Sequence, residues 1–399
     1  MRMKFNKSGQ LLLVSAASLF VSGLMTACGT LTVDFVYVTS AKAAGTNNYG
    51  EVNVFEVNSE SGRMKQIPTS PFPSGGRNPV AEAVSTDHNN LYVVNRDDNS
   101  IEQFVIGNDG KLYPTSTVNT PGVFPVAVTV QGTNLYVADT YQPLSTCSPA
   151  APCAGSVASF PISTTGGLGS AASNVANSSN YWPLTLPSSP TDVILPTSIT
   201  ALASGNAVYV AAYDSTTNTG YIYGFSSASG VLTPMNGGVP VSAGTHPSAI
   251  IGDPSSSYVY VTDFSTASVL GFAVGSGTLT PLSGSPFPAG NEPSAITIDA
   301  VGKWVYVANS LDSTVTAYSL ISGALTRNTT YAVGTQPVAI GIDPSLNEYL
   351  YTANFLGNTV TGFQLSATDG SLLNSQDSPY PSNAQPTAVA AIPHGSQKK

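Results

Sequence analysis

Residues 304–309, Trp304-Val305-Tyr306-Val307-Ala308-Asn309, are one copy of a pattern that runs the length of the chain. The type is Val or Leu, Tyr, Val, any residue, then Asn or Asp. Its copies are centred on Tyr37, Tyr92, Tyr136, Tyr209, Tyr260, Tyr306 and Tyr351. Valine and tyrosine favour a pleated, half-buried backbone, so each copy reads as a strand. A second strand follows each, with an aromatic at the matching place: Phe55, Phe104, Phe160, Phe225, Phe272, Tyr318 and Phe363. Ahead of every copy but the first runs a proline, a small residue, Ala or Ser, then an aliphatic. Those prolines are Pro79, Pro125, Pro196, Pro247, Pro293 and Pro337. A repeat of about 45–55 residues with three or four strands apiece reads as a propeller blade.

The two ends of the chain settle how the ring closes. Blade one has no proline-initiated strand before Tyr37, while an unused copy, Pro386-Thr387-Ala388-Val389-Ala390-Ala391-Ile392, stands near the C-terminus. The last strand is expected to complete the first blade and remove the free sheet edge. The predicted fold is therefore all-β, a seven-bladed β-propeller over residues 33–393 closed by the C-terminal strand joining the N-terminal blade. Residues 394–399 are a tail.

The Tyr-Val-Thr/Ala-Asn strands resemble the YVTN repeat. Ser70-Pro71-Phe72-Pro73, Ser285-Pro286-Phe287-Pro288 and Ser378-Pro379-Tyr380-Pro381 resemble inter-blade segments of lactonase-type propellers, the 6-phosphogluconolactonase-like family. The resemblance covers about residues 33–393 and implies hydrolysis of a lactone. Catalytic members carry His and Arg just after the inner-strand proline, as Pro-Arg-His or Pro-His-x-His. This chain has Pro247-Ser248-Ala249 and Pro293-Ser294-Ala295 there, so no residue of that site carries over.

Composition narrows the partners. The 399 residues include 13 Lys plus Arg against 22 Asp plus Glu, a formal charge of −9, and only 9% are charged. A disordered chain needs more charge and less apolar content, and a nucleic-acid binder needs a basic footprint. Neither class fits. Arg2, Lys4 and Lys7 precede an apolar run from Leu11 to Leu24, which reads as a signal peptide over residues 1–27. It ends in Leu24-Met25-Thr26-Ala27-Cys28, which resembles a bacterial lipobox. That resemblance implies lipidation of Cys28, with residues 28–32 as a tether to the cell envelope; the alternative is ordinary cleavage and an idle thiol. Removal of the leader leaves 10 basic against 22 acidic groups, −12, so acyl chains alone could hold the protein to a membrane. In an exported chain, Cys147 and Cys153 are expected to form a disulfide. No metal or other cofactor is expected.

Chain direction assigns the faces. Loops after the motif strands and the connections between blades share one face, the top, while the tether enters from the bottom. The top loops are short in blades two, five, six and seven. They are ten residues in blade one (41–50), eight in blade four (213–220) and sixteen in blade three (140–155), and the blade three-to-four connection, roughly 171–195, holds Tyr181 and Trp182. Such insertions are either a binding structure or tolerated decoration.

Two alignments single out candidate residues. Three places after the initiating proline, six blades have Val128, Ile199, Ile250, Ile296, Ile340 and Val389, but blade two has Glu82. A carboxylate in that aliphatic slot is either a general acid/base or half of a buried pair with Arg77 or Arg96. The residues immediately before the prolines are Asn78, Phe124, Leu195, His246, Glu292, Gln336 and Gln385. If they ring the channel mouth, His246 and Glu292 come from neighbouring blades and could work as acid and base. Two functions follow. The first is a lipid-anchored, monomeric, non-catalytic propeller whose top face binds a protein or glycan. The alternative is a hydrolase of a lactone or related ester that uses His246, Glu292, Glu82 and an arginine, Arg77 or Arg96.

Overall fold

The computed structural model describes residues 32–44, 47–344 and 347–394. The leader, Cys28 and the residues after His394 lie outside the described residues. Among the described residues the chain forms seven antiparallel sheets, each of four strands in order from the channel to the rim, four of them with a two-residue strand added off that path. Blade six is the plain example: Pro293–Ile298, Trp304–Asn309, Thr314–Ile321 and Ala324–Ala332. Each inner strand packs against the next around the ring. Pro386–Pro393 pairs with Thr32–Ala44 from Asp34↔Pro393 to Ser40↔Pro386, so the last strand is the inner strand of blade one. The predicted closure is what the structure has.

The motif explains itself in three dimensions. All seven motif tyrosines are buried, none above 1% exposed. Four of their hydroxyls donate to a glycine carbonyl of the neighbouring blade: Tyr37 to Gly110 O, Tyr92 to Gly166 O, Tyr260 to Gly323 O and Tyr306 to Gly370 O. Each accepting glycine sits at the outer turn of the next blade with positive φ, 69–87°. A Cβ at Gly370 would meet the Trp304 ring at 2.4 Å, so blade six requires a glycine in blade seven. The Asn or Asp three places after the tyrosine turns back to the top. Asn309 Oδ1 accepts from Gly290 N at 3.0 Å and Asp139 Oδ2 from Gly122 N at 3.2 Å, closing the entry from the previous blade.

Every inner strand carries a register shift immediately after its proline. The extra residue of this bulge is Val80, Val126, Thr197, Ser248, Ser294, Val338 or Thr387. A bulge re-aims a side chain at a barrel or channel rim, and here it places those residues on the channel wall.

Two loop expectations need correction. In blade one the strands continue past the motif and pair as far as Ala44↔Tyr49, and in blade four as far as Asp214↔Thr219. Continued pairing shortens both supposed long loops, and in blade four leaves a four-residue turn, 215–218. Blade three keeps a genuine insertion between Tyr141 and Ser156. It is pinned at its base by Gln142 N to Ala154 O and closed by the Cys147–Cys153 disulfide, with Cα atoms 5.5 Å apart. Trp182 is not a loop residue. Trp182–Pro183 is the outer strand of blade three, and the indole is 2% exposed in the core shared with blade four.

Candidate functional site

The residues before the prolines do ring the channel mouth, because each is tied to the residue four places after the motif tyrosine. Arg96 N donates to Asn78 O, Phe264 N to His246 O, Ser310 N to Glu292 O, Phe355 N to Gln336 O and Ala41 N to Gln385 O. The mouth therefore takes two residues from each of these blades. Asn78, Phe124, Glu292, Gln336 and Gln385 hold their station with φ between 51° and 62°. Left-handed backbone is uncommon outside glycine and needs support from its surroundings. Loop asparagines supply some of it: Asn99 Oδ1 accepts from Phe124 N at 2.7 Å and Asn358 Oδ1 from Gln385 N at 2.9 Å.

His246 is the best-held of the candidates. Asp263, the fully buried motif aspartate of blade five, accepts from His246 N at 3.2 Å and from Thr245 N at 2.6 Å. The imidazole lies against the Tyr213 ring, centroids 4.0 Å apart, with Phe264 at 5.8 Å on its own blade. No hydrogen bond or ion pair joins His246 to Glu292; Glu292 Oε2 instead accepts from Ser310 Oγ at 3.2 Å. The expected dyad is two separate groups on one rim.

The arginines do not meet Glu82. Arg77 is held by Asp98 through Nε at 2.7 Å and through its ion pair, and it also donates to Asp97 O. Arg96 stands 3.9 Å from Asp97 and lays its guanidinium over the Phe124 ring, 4.9 Å from the centroid. Phe124 in turn packs edge-on to Tyr141. Both guanidiniums turn to acidic and aromatic neighbours on the rim, which leaves the slot between blades one and two to Glu82.

There the residue as a whole shows an edge to the channel, but its carboxyl is buried. Oε2 accepts from Thr39 Oγ1 of blade one and Oε1 has no partner. Burial pushes the carboxyl up to about 8, against which the Thr39 and Ala390 hydrogen bonds act only partly. Glu82 is thus a neutral acid in the wall at pH 7, neither paired with an arginine nor at the mouth. A folded carboxyl with a raised value is stabilising below about pH 4.5, and that stability is lost as pH rises through 8. Glu82→Gln keeps the shape of the neutral acid. The variant should melt several degrees above wild type at pH 8.5 and together with it near pH 4.5. A difference that stays constant across this range in thermal denaturation would contradict the assignment.

At three of the bulge positions, just after the inner-strand proline, the side-chain hydroxyl is held by a carbonyl of the next blade. Ser248 Oγ donates to Pro293 O, Ser294 Oγ to Pro337 O at 2.7 Å and Thr387 Oγ1 to Pro79 O at 2.9 Å. These three hydroxyls bind the inner strands of blades five, six and one to those of blades six, seven and two. Sequence reasoning missed the aromatic flank of the mouth, Tyr213 and Phe264. A third alignment, of the residue four places after each motif tyrosine, would have found them beside Arg96, Thr140, Ser310 and Phe355.

Residues 36–390 match the family described as Lactonase, 7-bladed beta-propeller. The chain belongs to that family. Among solved structures, this lactonase-family propeller is similar to the periplasmic gluconolactonase of Pseudomonas aeruginosa, with 19% identity and a TM-score of 0.70, over 91% of this chain and 100% of that one. A Bacteroides fragilis protein provisionally named a 6-phosphogluconolactonase aligns at 18% and 0.69, over 91% and 99%. A Lactobacillus plantarum protein aligns at 17% and 0.68, over 90% and 99%. At these identities the likeness establishes the shared fold. No curated protein sequence matches the lactonase-family chain.

Proposed function

We propose that the protein hydrolyses a neutral, unphosphorylated lactone of sugar type at the channel mouth, with His246 as the general base. The observation that carries the reading is the His246 imidazole set between Tyr213 and Phe264 on the mouth of a lactonase-family ring. In the reaction, His246 takes a proton from water as the water oxygen bonds to the lactone carbonyl carbon. The tetrahedral oxyanion then collapses, the acyl–oxygen bond of the ring breaks, and the proton passes to the departing ring oxygen. The product is the open hydroxy acid. Aromatic rings suit the apolar faces of a sugar ring, and the mouth amides Asn78, Gln336 and Gln385 suit its hydroxyls.

The neutral substrate follows from charge. Among the described side chains, Arg77 is matched by Asp98, Arg96 neighbours Asp97, and Glu292 adds a further negative group, which disfavours a phosphate. A spectrophotometric screen should show turnover of a neutral aldonolactone and little of its 6-phospho counterpart. Equal or better use of the phosphorylated lactone, or no turnover of either, would sink the proposal.

A second reading, non-catalytic binding of a glycan or protein at the same face, is favoured by the bulge hydroxyls, which occupy the family's usual catalytic positions with structural bonds. Saturable binding of a sugar without turnover would support it. In either reading we propose that the chain is exported and anchored through Cys28. The disulfide supports an oxidising compartment. Cys28→Ala should move the protein from the membrane fraction to the soluble fraction on cell fractionation; unchanged partitioning would remove the anchor.

A further inference from the structure

The channel mouth is uneven around its circumference. Five of the positions before the inner-strand prolines share a left-handed backbone, and four of them fill it with a polar side chain: Asn78, Glu292, Gln336 and Gln385. Blade three places Phe124 there, at φ 55°, where a bulky side chain is an outlier that its surroundings must hold. Asn99 Oδ1 accepts from Phe124 N at 2.7 Å, Thr140 Oγ1 donates to Phe124 O at 2.7 Å, and Arg96 lays its guanidinium over the ring. The phenyl is nonetheless only half-buried, as is Tyr141, which meets it edge-on with centroids 6.3 Å apart. The disulfide-closed insertion of blade three starts at the next residue, with Gln142 N on Ala154 O. From this pair the rings continue round the rim. Burial first, and the Tyr141 hydroxyl second, push the Tyr213 hydroxyl up, so the two phenols are neighbours. Tyr213 in turn lies against His246.

We propose that the mouth takes the lactone end of an oligosaccharide, with the lactone ring at His246 and Tyr213 and the adjoining sugar on Phe124 and Tyr141. The inference rests on the lactonase reading of the mouth and extends it from a single sugar to a chain. A lactone placed for attack at His246, in blade five, leaves the Phe124–Tyr141 pair, in blade three, to a second unit. Polar groups accompany that pair, as a sugar requires and a wholly apolar group does not: the Tyr141 hydroxyl, Thr140 Oγ1, which can still accept, and the Asn78 amide on blade two. The bond broken is the same acyl–oxygen bond of the lactone ring, and the glycosidic bond to the second sugar stays intact. Contacts to that sugar are remote from the reacting carbon, so their main effect is on KM.

Cellobiono-1,5-lactone differs from glucono-1,5-lactone only by a second glucose, so comparing the two isolates the second sugar. Wild type should use the disaccharide lactone with about tenfold higher kcat/KM, the order expected for contacts to two aromatic rings. Phe124→Ala and Tyr141→Ala should each lower that ratio about threefold by raising KM for the disaccharide lactone, and together bring it to about one. Phe124→Tyr, which keeps a ring, should retain the preference. Equal use of the two lactones by wild type overturns the inference and leaves the lactonase reading standing. So does a ratio that neither alanine variant changes, even where both rates fall. Turnover of neither lactone above the spontaneous rate fails the lactonase reading and takes this inference with it.

Discussion

A chain ending at Gln385 should not fold to a monomeric propeller at 25 °C. The deletion removes the inner strand of blade one, which pairs with Thr32–Ala44 along its length and touches the inner strands of blades two and seven. Ile392 is fully buried and Ala388 and Ala391 nearly so. Burial of the isoleucine alone contributes roughly 2 kcal/mol. The larger loss is topological: the motif strand of blade one becomes an open edge, and Thr387 no longer donates to Pro79 O across the seam. Net stabilities of about 5–15 kcal/mol leave little room for losing a whole strand together with ring closure. An exposed, apolar edge also pairs with other chains. Size-exclusion chromatography should therefore show aggregate, and calorimetry no cooperative transition. Ile392→Ala keeps the strand and should stay folded while losing about 2–5 kcal/mol. A synthetic peptide of residues 386–394, added in trans, should restore part of the monomer peak. A truncated chain that elutes as a monomer and melts with wild type would show that the seam does not hold the ring.

The features that repeat were legible in the sequence because each blade solves the same packing problem. Tyr306 must reach a glycine in blade seven and Asn309 must close the entry from blade five, so both recur with their spacing. Closure was legible because Pro386–Ile392 was a repeat unit left over. Glu82 was visible as a break in an aliphatic column, but its partner was not. Thr39 lies 43 residues away in another blade, and no periodic signal reports a contact across the seam. Arg77 and Arg96 look available in the sequence, whereas the turn after Asn95 brings Asp97 and Asp98 up beside them. Trp182 looks like a loop aromatic in the sequence, because a two-residue outer strand has no pattern of its own. The left-handed backbone of Phe124, Glu292, Gln336 and Gln385 gave no signal either, since none is a glycine or asparagine.

His246→Ala should lower kcat/KM for a neutral sugar lactone by roughly a hundred- to ten-thousand-fold, the range of general acid–base contributions. The fold should survive, since Asp263 holds the backbone at this position through His246 N and Thr245 N and does not depend on the imidazole. The loss should fall mainly on kcat, because a proton is transferred only in the transition state, whereas Tyr213→Ala, which removes a stacking surface, should fall mainly on KM. Glu292→Gln tests the dyad that the rim positions suggested. With its carboxylate on Ser310 and no bond to His246, that change should cost less than about tenfold, far below a general-base loss. Free imidazole added to His246→Ala should recover part of the rate, which a merely structural histidine would not allow. Turnover that is indifferent to His246→Ala would place the chemistry elsewhere. Equal losses in His246→Ala and Glu292→Gln would instead mean that the two groups act together in a geometry that forms only when substrate closes the mouth, with Ser310 giving up its hold on the carboxylate.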